Sequence, residues 1–349
     1  MNIAVGDLGG SNLRMGVSLG SGGYQLEHIR SFKTSEFSSL SDAIQHYQSL
    51  IDLHFDVICL GVAGPVLGGR AKLTNLPWNI DAKDLVEDLD CLAAYLLNDL
   101  EAHSYGLPWL SAEDCLTIQQ GQKALGNQAF IAAGTGLGEA QIFWDGKSHT
   151  PFATEGGHCS FSPSNAEELA LLDFLWKQHD AVSWERVLSG GFGFRSIVEF
   201  YGATQASAFG SDASNYLESK DALGPVILND AQKGSEFALK VVECFVRLYG
   251  SEAGNLALKS MALGGIYIGG SIAIGLQDWM VSPLFLKAFS NKGRFSDLLR
   301  NIPVTLVTDT QCSLKGALRF ARLQKNKSFG SVDIIDLAAN DDSKDDLLR

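Results

Sequence analysis

Asn98 and Asp99 follow the apolar run Leu92-Ala93-Ala94-Tyr95-Leu96-Leu97 and put a carboxamide and a carboxylate where a buried strand should end. In α/β folds ligands bind at the carboxyl ends of strands. Asp99 is the candidate general base, because a hydroxyl is a poor nucleophile until a carboxylate orients it and accepts its proton. An Asp after a strand is also a common helix N-cap. Two Gly-rich turns accompany the pair, Gly6-Asp7-Leu8-Gly9-Gly10-Ser11 and Gly134-Thr135-Gly136-Leu137-Gly138. Glycine has no Cβ, so such turns bring backbone N–H groups close to phosphate. Ser11 and Thr135 add hydroxyls at the same points. Taken singly, each turn is also what a tight hairpin without a ligand looks like. In Glu155-Gly156-Gly157-His158 the two glycines allow both flanking side chains to face one pocket, and Glu185 precedes a third turn, Ser189-Gly190-Gly191. A lone His or Glu is more often structural. The occurrence of all these features in one chain points to phosphoryl transfer onto a small polyhydroxy substrate.

Other chemistries fit less well. A P-loop is absent, since Gly146-Lys147-Ser148 lacks its leading glycine and position 141 is Gln. The six cysteines lie far apart in sequence, and Cys159, beside His158, has no further Cys or His at ligand spacing. No direct metal ligand set is expected; Asp7 is the carboxylate that would hold Mg²⁺, through water. A net charge of −13 argues against nucleic acid or an anionic membrane surface as a partner. It does not argue against ATP, which arrives with Mg²⁺ and is held by backbone dipoles. The cysteines read as buried reduced thiols of a cytoplasmic protein, and Met1 to Val5 runs straight into Gly6-Asp7 with no signal peptide.

The elements that must position these residues follow from spacing. Ile3–Val5, Leu13–Ser18 and Gln25–Phe32 read as a meander, with a turn at Gly20–Gly23. Ser41–Leu53 has helical spacing through Ala43, Ile44, Tyr47, Leu50 and Ile51. Val57–Val62 reads as a buried strand before the breaker Gly64-Pro65, and Ala82–Leu89 as a helix leading to the strand at Asn98. Gln128–Ala133 and Glu139–Trp144 flank the second turn and form another Gly-rich hairpin. Two such units imply a duplicated architecture with a cleft between its halves. Ala166–Gln178 and Ser235–Tyr249 read as helices, Met261–Leu276 as a buried strand with its turn, Val304–Val307 as a strand and Ser313–Leu323 as a helix. Residues 328–349 carry six Asp and are expected to form a solvated, disordered tail.

The segments Gly6–Arg14, Leu73-Thr74-Asn75-Leu76-Pro77-Trp78, Leu97-Asn98-Asp99, Ala133–Gly138, Glu155–His158, Glu185–Gly190 and Gly293-Arg294-Phe295 run in an order that resembles the bacterial-type glucokinases of the hexokinase superfamily. The resemblance covers residue 3 to about 322. It implies an α/β, two-domain duplicated ribonuclease H-like (actin-like ATPase) fold with a cleft between domains. The expected division is 1–109 plus about 305–325 as the small domain and 110–304 as the large one. It implies ATP-dependent phosphorylation of D-glucose to glucose 6-phosphate, with Asp99 as catalytic base and Asn98, Asp99, Glu155, His158 and Glu185 on the sugar. Gly6, Asp7, Leu8, Gly9, Gly10, Ser11, Gly134, Thr135, Gly136 and Gly138 would hold the phosphates of ATP, with Gly270 near the adenosine. A homodimer is implied as well. Ser11 stands where that family usually has Thr, and Glu139 is expected to add negative charge near the phosphates. The alternatives are a kinase of another hexose or amino sugar, or a non-catalytic sugar-sensing binding protein.

Overall fold

The computed structural model describes residues 1–20, 24–73, 76–219 and 222–329. The Gly20–Gly23 turn beyond Gly20, Thr74-Asn75 and the acidic tail beyond Phe329 lie outside the described residues. The chain divides into two compact units, Met1–Leu110 with Thr310 onward, and Ser111–Asp309.

In the first unit β1 (Ile3–Leu8), β2 (Asn12–Ser18) and β3 (Glu27–Lys33) form an antiparallel meander. β4 (Val57–Val62) pairs parallel to β1. A small separate sheet follows, of β5 (Val66–Leu67), β6 (Arg70–Lys72) and β7 (Asn79–Asp81), and β8 (Ala93–Asn98) then pairs parallel to β4. The main sheet has the order β3-β2-β1-β4-β8. β4 is buried at every residue, as a strand covered on both faces must be. The edge strand β3 is polar and mostly exposed.

The second unit contains β9 (Cys115–Gln119), β10 (Gln128–Ala133), β11 (Leu137–Trp144), β12 (His149–Thr154), β13 (Gly265–Gly269) and β14 (Val304–Val307), in the order β12-β11-β10-β13-β14-β9. From each meander the order repeats: third strand, second, first, then two parallel strands, with β9 added antiparallel at one edge. That repeat is the duplication expected from the two hairpins.

Several expectations need correction. Leu50 is 56% exposed, so the buried face of the helix Leu40–Ile51 is Leu40, Ala43, Ile44 and Tyr47. Leu92 is exposed, and β8 starts one residue later. The helix expected to end at Tyr249 spans Glu236–Ser260, because Gly250 and Gly254 let it lie directly against the carbonyls of Phe285 and Phe289. The stretch Met261–Leu276 holds β13 and then a helical turn, Ser271–Gly275. Cys159 is exposed rather than buried, and Cys115 half-buried. Among the described residues no helix is long and apolar enough to cross a membrane.

The last described helix runs from Cys312 to Phe329, past the expected end at Leu323. Its Leu314, Ala317, Leu318 and Ala321 join Ile3, Val5, Cys59, Leu97 and Ala102 in one apolar cluster. It meets the helix Asp99–Gly106 backbone to backbone: a Cβ on Gly316 would stand 1.7 Å from the carbonyl oxygen of Ala102. Gly316→Ala is therefore expected to destabilise this unit by about 1–3 kcal/mol, the usual cost of overpacking. Thermal unfolding followed by circular dichroism should start at a lower temperature than in the parent. An unchanged melt would show that the helices separate at no cost.

Candidate active site

In the first unit β1, β4 and β8 run parallel and in register, Leu8 opposite Val62 and Val62 opposite Asn98. The first Gly-rich turn and Asn98-Asp99 therefore lie at the same carboxyl edge of one sheet. The helix cap is Asn98, not Asp99. The Asn98 side chain accepts from the N–H groups of Leu100 (3.0 Å) and Glu101 (3.3 Å), and its amide donates to the Gly64 carbonyl at 3.1 Å. Asp99 is thus the first helical residue, half-buried, with Oδ1 accepting from the Leu100 N–H at 2.8 Å. Aligned N–H groups at a helix start favour a negative charge there.

Asp7 ends up braced from two directions. Its Oδ2 accepts from Arg14 Nη2 at 3.1 Å and from the Ser313 hydroxyl at 2.8 Å. The turn itself is tied by Gly9 N–H to the Asn12 carbonyl, and by Thr34, which donates to the carbonyls of Gly10 and Ser11. Ser11 is exposed. Gly6 packs against Leu60 and Met15, and the side chain of Leu8 is fully buried, so both are accounted for by the core. The bracing of Asp7 by Ser313 escaped the sequence reading, because the partners lie at opposite ends of the chain.

In the second unit the candidates converge. After the turn, the chain at Phe161 and Cys159 pairs with Val182 and Trp184 through backbone hydrogen bonds of 2.9 and 3.0 Å. Trp184 is buried edge-on against Phe161 and anchors the short helix Trp184–Leu188. This brings Glu185 beside His158, with Nδ1 to Oε2 at 3.2 Å, while Nε2 of the same ring lies 3.9 Å from Glu155. The far end of the helix is sewn to the second Gly-rich turn: Gly190 N–H donates to the Gly134 carbonyl at 2.8 Å and Gly191 N–H to that of Thr135 at 3.2 Å. Gly136 lies so close to Glu185 that a Cβ there would be 2.6 Å from Oε1. Thr135 is exposed at the tip, Gly138 lies in β11 opposite Ala132, and Gly270 follows β13 beside the end of β10.

Glu139 does not add charge to the surface of this site. The alternation of β11 turns it inward, where it is 2% exposed. Burial pushes its carboxyl up to about 8, with the Glu252 carboxylate adding to the shift and Lys259 opposing it. Glu252 and Lys259 were missed in the sequence. The signal was there: an acidic residue inside Leu248-Tyr249-Gly250-Ser251-Glu252-Ala253-Gly254 interrupts an otherwise apolar helical stretch.

A family model described as Glucokinase matches residues 4–324. The glucokinase of Nostoc sp. strain PCC 7120 is 34% identical over 336 residues, which cover 90% of this chain and 97% of that protein. The crystal structure of a glucokinase from an Antarctic psychrotroph superposes with a TM-score of 0.79 at 31% identity, covering 92% of this chain and 99% of that one. A ROK family glucokinase from Streptomyces griseus, solved in complex with glucose and AMPPNP, shares the fold at 20% identity, with a TM-score of 0.63 over 93% of this chain and 100% of its own. The actin-like α/β fold expected from the sequence is the fold of these structures. Matched through both units by the same description, the chain belongs to the glucokinase family.

Proposed function

We propose that this enzyme works in the cytoplasm and transfers the γ-phosphoryl group of ATP to the 6-hydroxyl of D-glucose, with Asp99 as the general base. The observation that carries the reading is the row Glu155, His158 and Glu185, in which the two ring nitrogens of His158 lie 3.9 Å from the Glu155 carboxylate and 3.2 Å from that of Glu185. Such a row presents alternating donors and acceptors to vicinal hydroxyls. The glucose and AMPPNP bound to the Streptomyces griseus relative support the same pair of substrates.

Asn98 would contribute the second N–H of its amide to the sugar. Asp99 accepts the proton of the 6-hydroxyl as that oxygen bonds to the γ-phosphorus and the bond to the bridging oxygen of ADP breaks. N–H groups of Gly10, Ser11, Thr135 and Gly136 would meet the negative charge on the transferring group, with Gly9 and Gly134 closing their turns through their own N–H groups, and Gly270 would lie beside the adenosine. Among the described residues no group of three or more His, Cys, Asp or Glu side chains is placed to hold a metal ion. Mg²⁺ fits such a site, because it keeps most of its waters and needs few protein carboxylates. Asp7, with Oδ2 taken by Arg14 and Ser313, has its other oxygen for a metal-bound water. When bound with ATP, Mg²⁺ supplies charge neutralisation at the phosphates. The reading includes a homodimer, which sedimentation velocity tests directly.

Asp99→Asn should lower kcat by ~10²–10⁴-fold, the usual worth of a general base, and leave glucose binding intact by calorimetry. Near-normal turnover in that variant would sink the assignment. Glu155→Gln and His158→Ala should each raise the glucose KM by about tenfold, as an unpaired hydroxyl contact does, with the ATP KM nearly unchanged. A coupled ADP-release assay over a panel of hexoses and amino sugars measures both constants. Wild-type glucose KM values in both variants would move the sugar site elsewhere.

A further inference from the structure

Directly under the turn Gly156–His158 lies a second set of ionisable groups that the proposed chemistry does not use. A Cβ on Gly156 would stand 2.1 Å from Oε2 of Glu139, so the turn rests on that carboxyl. Glu139 lies within hydrogen-bonding reach of Glu252, itself fully buried. Glu252 accepts from Lys259 Nζ at 2.8 Å and from the Asn255 amide at 2.7 Å. Oε1 of Glu139 is buried with no donor among the described residues. Two buried carboxyls against one ammonium are satisfied when one carboxyl keeps its proton and donates it to the other.

The remaining groups around the pair come from three directions. Tyr249 belongs to the same helix as Glu252 and feels Glu139. Lys292 reaches the Ser251 carbonyl at 2.9 Å and Asn255 Oδ1 at 2.6 Å, and it acts on Glu252. Cys159, on the turn itself, acts on Lys259. None of these supplies a hydrogen-bond donor to Glu139 Oε1.

We propose that Glu139 is a positioning residue, whose carboxyl, hydrogen-bonded to Glu252, sets the Gly156–His158 turn and through it the affinity for the sugar. The proposal rests on the reading of Glu155 and His158 as sugar contacts. Its sign follows from the raised titration of Glu139. Below about pH 8 the neutral acid donates to Glu252 and the turn is seated. As pH rises through that value the proton is lost, two carboxylates share Lys259, and their repulsion lifts the turn. Glucose affinity is therefore full at neutral pH and falls on the alkaline side.

The test compares parent, Glu139→Gln and Glu139→Ala in glucose and ATP KM between about pH 6.5 and about pH 9.5. The backbone amide resonances of Gly156 and Gly157 are followed over the same range without sugar. The parent glucose KM should rise about 3- to 10-fold on the alkaline side, while Glu139→Gln, neutral and able to donate, stays flat at the parent's neutral value. Glu139→Ala should show a raised glucose KM throughout, with the ATP KM unmoved in all three proteins. The two amides should shift with pH above neutrality in the parent and not in Glu139→Gln. An alkaline rise that persists in Glu139→Gln, or amides that move equally in both, would overturn the role of Glu139 even if Glu139→Ala fails to fold. Amides that move only in the parent, with a glucose KM flat in both proteins, would overturn the proposal through the sugar assignment instead.

Discussion

Parallel strands paired in register end level with one another, and their last carbonyl and N–H groups lose the ladder that satisfied them. Buried backbone groups must then find other partners. The first unit solves this with Asn98, whose amide joins the end of β8, the first turn of the Asp99 helix and the Gly64 carbonyl beyond β4. The second uses Tyr249: the Ala133 N–H donates to its hydroxyl at 3.0 Å, and that hydroxyl lies 3.4 Å from the Gly269 carbonyl. One constraint is met by a short polar side chain in one half and a long aromatic one in the other.

The short helix Trp184–Leu188 does for the second unit what a longer element would do elsewhere. Five residues bring too few hydrogen bonds to be stable alone. It persists because Trp184, Val187 and Leu188 are buried, and because both ends are tied to neighbouring backbone. A rigid piece of chain this short transmits small displacements between its ends, so the geometry at Glu185 and that at the Gly134 turn are set together.

The elements legible in the sequence were those whose residues carry their own reason. Val57–Val62 is apolar throughout, Ala82–Leu89 lies between a capping Asp81 and Asp90, and Gln128–Ala133 ends at a glycine; all three have the expected bounds. The candidate residues of the second unit stood out by type, and the structure brings Glu155, His158 and Glu185 together. What could not be read depends on partners distant in sequence. The long helix continues past Tyr249 because glycines face carbonyls some thirty-five residues later, which no periodicity announces. Glu139 looks like a surface charge until β11 is given its inward face and Glu252 is placed against it. The capping role went to Asn98 rather than Asp99 because the helix starts at Asp99 itself, one residue earlier than a cap at Asp99 would require.

The first unit is discontinuous: the chain leaves it at Leu110 and returns only at Thr310. The helix that begins with Asp99 takes its seat against Cys312–Phe329, a segment made after the whole of the second unit. Domains emerge from the ribosome in order and fold as they become complete. Here the half that is started first is finished last. A nascent chain therefore carries Asp99 on a helix without its packing partner until the last stretch is made, and a chain cut short before Cys312 leaves that half without the helix that completes its apolar cluster.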